Sequence, residues 1–172
     1  MKEDLLLATF GQVGVAIAGF SGIVVALGDH ARGNWTSRER QLLTTLLGTS
    51  GSSAFLSFLP LLLSSAKVVE STIWVVSSAT SLAFQIGLTV RRSMTVIPDV
   101  ELRNREFALI LAMYAGEAAF GLLQAINCFG PAASWPHLAT IFWHLGMSFY
   151  VFVRLVRPKG TNPPEERPSA QL

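Results

Sequence analysis

The chain has 172 residues, of which 51% are hydrophobic and only 14% charged, and its formal net charge is +2. Soluble proteins carry about 25% charged residues, so this balance argues against an ordinary water-soluble domain and for a lipid environment. The single cysteine, Cys128, excludes an intramolecular disulfide and a thiolate zinc cluster.

Five predominantly apolar stretches follow one another, at about 5–27, 41–66, 71–90, 107–128 and 138–156. Each approaches the ~20 residues that a helix needs to cross ~30 Å of hydrocarbon. They predict an all-α integral membrane protein, a compact bundle of five transmembrane helices within residues 1–157. The opening "MKED" mixes charges, and the apolar run behind it is too long for a signal-peptide core, so the first stretch reads as an anchor. Along it Gly14, Ala18, Gly22 and Ala26 recur at four-residue intervals on one face. Small residues let backbones approach closely, which matters in lipid, where helices associate through van der Waals contact and hydrogen bonds. A neighbouring helix is expected along that face.

The second stretch opens with "NWTSRERQLL", where Thr36 followed by Glu39 has the spacing of a capping box and Trp35 sits at the depth of an aromatic belt. Pro60 predicts a kink late in this helix, with serines and threonines expected to satisfy the freed backbone groups. The second and third stretches nearly touch; as one helix they would measure ~75 Å, more than twice the hydrocarbon thickness, so Pro60, Ser64, Ser65, Lys67 and Glu70 are read as a turn. In "IPDVELRNRE", Pro98, Asp99 and Glu101 predict that the fourth helix begins before it enters lipid. Residues 158–172, rich in proline and charge without apolar periodicity, read as a disordered cytoplasmic tail.

The signs of the charges test this count independently. Five crossings place Lys2 and Lys67 on one side, and on the other the remaining eleven of the thirteen basic residues: Arg32, Arg38, Arg40, Arg91, Arg92, Arg103, Arg105, Arg154, Arg157, Lys159 and Arg167. The positive-inside rule then sets the N-terminus outside and the C-terminus in the cytoplasm. These arginines and lysines are expected to meet anionic headgroups. The stretches "QVGVAIAGFSGIVVALG", "WTSRER" and "FLPLLL" together resemble small multi-pass bacterial membrane proteins for which no activity is established. The resemblance implies the same helical architecture in the inner membrane and transfers no catalytic residue.

Glu117 is the candidate centre. It lies ~15 Å from the start of the fourth stretch, close to the midplane, where an ionised group costs at least ~2.5 kcal/mol. It must therefore face protein or water, pair with a partner, or hold a proton. Gln124 shares its helix face, and Ser53, Ser81, Gln85 and His144, with Gln12 and Ser52, fall at depths that can reach the middle of the bundle. His144 is the partner with which Glu117 could share a proton. The plainer reading makes these groups interhelical glue at roughly 0.6–2 kcal/mol each.

No zinc-protease, nucleophile-elbow, P-loop or dinucleotide signature occurs, so no enzyme activity, metal or cofactor is assigned. Topology and lipid account for the basic residues, leaving no call for nucleic acid. Two functions remain: a small channel or transporter-like protein built on the midplane carboxylate, and a non-catalytic assembly subunit joined to a second copy or another membrane protein through small-residue faces.

Overall fold

A computed structural model describes residues 2–27, 36–96 and 107–156. They form five helices: α1 (Asp4–Leu27), α2 (Ser37–Ser65), α3 (Glu70–Val96), α4 (Phe107–Phe129) and α5 (Ser134–Val156). All five are long and apolar enough to cross a membrane. Trp35, the segment from Pro98 to Glu101, the tail at 158–172, and Arg32, Arg103, Arg105, Arg157, Lys159 and Arg167 lie outside the described residues.

The helices alternate in direction. The start of α1, the 66–69 turn and the 130–133 turn share one end, here the first end: Ser134 Oγ donates to Glu3 Oε1 at 3.0 Å, and the Trp74 ring near the start of α3 lies 6.2 Å from that of His137 near the start of α5. The starts of α2 and α4 define the second end. Among the described residues the polarity is inverted relative to a water-soluble protein: Thr49, Ser50, Ser53, Ser57, Ser77 and Ser78 are fully buried, whereas Leu5, Leu62 and Phe142 stand exposed, and Phe129 is 94% exposed. A contiguous apolar exterior of this kind suits lipid rather than water.

α2 is the hub, packing against α1, α3 and α5. Half of its apolar stretch is buried, against 22% for α1 and for α4. Its start is fixed locally: Thr36 Oγ1 accepts from the Glu39 N–H at 3.2 Å while Thr36 N–H donates to Glu39 Oε2 at 3.0 Å, the capping box the spacing predicts. Where α1 meets α2, Gly14 is required: a Cβ there would lie 2.9 Å from the Ser50 carbonyl oxygen and 3.1 Å from Ala54 N. The rest of the stripe behaves differently. Ala18 is half-buried, Gly22 is exposed with nothing within 4 Å of where its Cβ would sit, and the side chain of Ala26 lies outside the described residues.

Two boundaries move in ways that matter for the site. α3 runs past Val90 to Val96, so Arg91 and Arg92 belong to the helix and not to the following loop. α5 begins at Ser134, which brings His137 out of the expected loop and into its first turn. Proline is tolerated near a helix start, so Pro136 does not prevent this. The preceding turn is held by Asn127, whose carboxamide accepts from the Ala133 N–H and donates to the Ala133 carbonyl, both at 2.9 Å.

Candidate functional site

Glu117 is buried at 5% exposure between α3 and α5. Its Oε1 lies 3.9 Å from Arg92 Nη2 and its Oε2 lies 3.5 Å from His144 Nε2. His144 in turn meets Ser52 through Nδ1 at 3.2 Å. One residue from each of α3, α4, α5 and α2 thus forms a chain across the bundle, Arg92–Glu117–His144–Ser52.

Packing seats each member. The ring of Trp143 occupies the space that a side chain at Gly116 would fill, and it stacks on Phe120 at 5.4 Å between centroids. This contact fixes the register of α4 against α5 and sets His144 opposite Glu117. Ser93 Oγ on α3 and Tyr114 Oη on α4 are 2.8 Å apart, and the Arg92 guanidinium lies 5.9 Å from the Tyr114 ring centroid, so a cation–π contact holds the arginine inward. Neighbouring residues on a helix point ~100° apart. Arg91 accordingly faces out while Arg92 is buried. Arg92 was expected among the lipid headgroups; the correction follows from this rotation and from the pull of a buried carboxylate.

Ser52 Oγ donates to the Thr49 carbonyl at 3.0 Å and lies 3.2 Å from His144 Nδ1, while the other ring nitrogen, Nε2, faces Glu117 Oε2.

A second polar layer lies nearer the first end. His137, fully buried, is 2.9 Å from Ser81 Oγ through Nδ1 and donates through Nε2 to the Leu56 carbonyl at 3.0 Å. Leu56 is four residues before Pro60, which has no N–H to complete that carbonyl's helical bond. His137 therefore satisfies the group that Pro60 frees. Serines and threonines were expected in this role, but the nearby hydroxyls of Ser53 and Ser57 donate instead to Thr49 and Ser53 carbonyls. In the same layer Gln124 Nε2 donates to the Pro136 carbonyl at 2.8 Å and to Thr140 Oγ1. Beyond it Asn127 donates to Ser78 Oγ at 2.8 Å.

The residues predicted from sequence are thus divided. Glu117 and His144 meet. Gln124 and Ser81 belong to the His137 layer, Ser53 Oγ donates within its own helix to the Thr49 carbonyl, and Gln12 is exposed on α1. Gln85 is 2% exposed, beside Gly121. Sequence reasoning missed Arg92 and His137 as site residues. The available signals were an acid in need of a cation and a proline-freed carbonyl in need of an N–H donor.

At the second end a crevice of about 20 Å³ is lined by Gln41, Thr44, Thr45, Leu88, Arg91 and Arg92. That volume holds about one water. Among the described residues no three His, Cys, Asp or Glu side chains converge as metal ligands.

Fold and site define the class: an all-helical protein with five helices able to cross a membrane, and a charge-bearing polar axis inside them. No protein-family model, curated protein or solved structure matches the chain.

Proposed function

We propose that this is a small channel or transporter-like protein of the bacterial inner membrane that passes protons along the axis centred on Glu117. The observation that carries the reading is the placement of one buried carboxylate between a guanidinium and an imidazole. Three ionisable groups gathered in the middle of an apolar bundle are costly, and such residues within membrane spans usually mark proton or ion pathways. The crevice at Arg92 gives water an approach from the second end. The excess of arginine and lysine at the second end supports a cytoplasmic assignment for that end and an external N-terminus.

The direct test imposes a pH gradient across vesicles containing the purified protein and follows an internal pH dye. Dissipation faster than in protein-free vesicles is the expected outcome; equal rates would remove the proposal. Reporter fusions at the two termini should fall in opposite compartments.

A second reading, an assembly subunit, is favoured by one observation: Gly22 lies on the small-residue stripe of α1 but faces open space. A helix from a second copy or another membrane protein would fit there. Gly22→Leu should then dissolve the assembly in crosslinking or light-scattering measurements while leaving the monomer folded. Gly14→Leu should disrupt the monomer itself, because its side chain would meet the α2 backbone. An unchanged oligomeric state in Gly22→Leu would remove this reading.

A further inference from the structure

Three ladders of polar and small residues run side by side through the bundle. On α3 they are Ser78, Ser81, Gln85 and Arg92; on α4, running the other way, Asn127, Gln124, Gly121 and Glu117; on α5, His137, Thr140 and His144. Cross-links join the rungs at Ser78–Asn127, Ser81–His137, Gln124–Thr140 and Arg92–Glu117–His144. The rung formed by Gln85 and Gly121 lacks one.

Gln85 lies ~6 Å along α3 from Ser81 and ~10 Å from Arg92, while Gly121 lies ~6 Å along α4 from Glu117. Gln85 therefore occupies the gap between the two histidine layers. Its side chain is 2% exposed, yet neither its Oε1 nor its Nε2 has a hydrogen-bond partner among the described residues; Gln124 Oε1, one rung away, also has none. Buried amide groups are nearly always satisfied by protein or by an internal water, since leaving them unpaired is costly. Gly121 lets the amide approach the α4 backbone closely: a Cβ on it would come within 3.2 Å of Gln85 Oε1. The Arg92–Glu117 contact, at 3.9 Å, also exceeds the 2.7–2.9 Å of direct charge-assisted hydrogen bonds and lies at a separation where a bridging water is to be sought.

We infer that Gln85 and Gln124 form an interior water-binding site that joins the Glu117–His144 layer to the His137 layer in one hydrogen-bonded column. Water is the ligand because each unmet group is a neutral amide atom wanting a small donor or acceptor. A proton arriving at Glu117 would pass to such a water and leave from its far side, each molecule giving up one hydrogen as it takes another. The hydration stands on geometry alone, whereas its use in conduction rests on the proton-passage reading.

Solid-state NMR of protein labelled with ¹⁵N-glutamine in lipid vesicles tests the first part. Magnetisation should pass from water to the Gln85 side-chain amide, the signal being assigned by its loss in Gln85→Leu. No transfer to that amide would overturn the inference. For the second part, Gln85→Leu should lower proton flux at least tenfold with thermal stability retained. Gly121→Ala, which puts a methyl into the same space with the amide still present, should reduce both water transfer and flux. Flux at the wild-type level in either folded variant would overturn the column. If wild-type vesicles conduct no protons, the proposed function falls and the NMR result still decides the hydration.

Discussion

Glu117→Gln should abolish proton flux in reconstituted vesicles, at least a hundredfold below wild type, in a protein that still inserts and runs as a single species on gel filtration. Glutamine keeps the shape and the hydrogen-bonding capacity of the side chain but cannot take up or release a proton. If Glu117 were only glue, the substitution would be nearly silent in that assay. The stability consequence follows from its partner. Arg92 and Glu117 have side chains only 4% exposed, and removing one member of a buried pair leaves the other uncompensated, at about 3–5 kcal/mol. Arg92 is near the end of α3 and can turn toward the second end, so the loss on Glu117→Gln should fall at or below the lower figure. Replacing both, as Arg92→Leu with Glu117→Leu, should restore or exceed wild-type thermal stability, because well-packed apolar residues often match a buried ion pair. A double variant that is stable but dead in flux would separate the pair's role in conduction from its role in holding the bundle. Full flux in that variant would contradict the proposal.

His137→Phe should lower thermal stability in detergent by about 1–3 kcal/mol, the cost of leaving the buried Leu56 carbonyl unsatisfied. The cause can be isolated by a second substitution, Pro60→Ala, which supplies the missing N–H and lets α2 close the bond itself. Pro60→Ala should therefore rescue most of the loss in the His137→Phe background. A strictly additive double variant would mean that the His137 bond to Leu56 carries little of the stability.

The five helices were readable because length and apolarity are properties of consecutive residues, and so was the capping box, which spans only the four residues from Thr36 to Glu39. The meeting of Glu117 with His144 was also within reach, since helical rise alone gives each residue a depth. Arg92 was not, because its depth by sequence places it at the headgroups, and only the rotation of α3 and the reach of a long side chain carry it to the acid. His137 was hidden by a different limit: the group it serves is 81 residues away in the chain. The α1 stripe shows a third. Four-residue periodicity specifies a face, but Gly14 and Gly22 share that face and only Gly14 meets α2, because contact depends on where two helix axes converge.

The bond between His137 and Leu56 also bears on biogenesis. A ribosome delivers α2 long before α5, so the carbonyl that Pro60 leaves bare enters the bilayer without its eventual donor. Until the histidine arrives, a transient companion must shield it, whether water at the translocon's lateral gate or a hydroxyl on another segment. Nascent chains halted before residue 137 should accordingly be those most prone to quality-control proteolysis, and commitment to the finished arrangement comes late in synthesis.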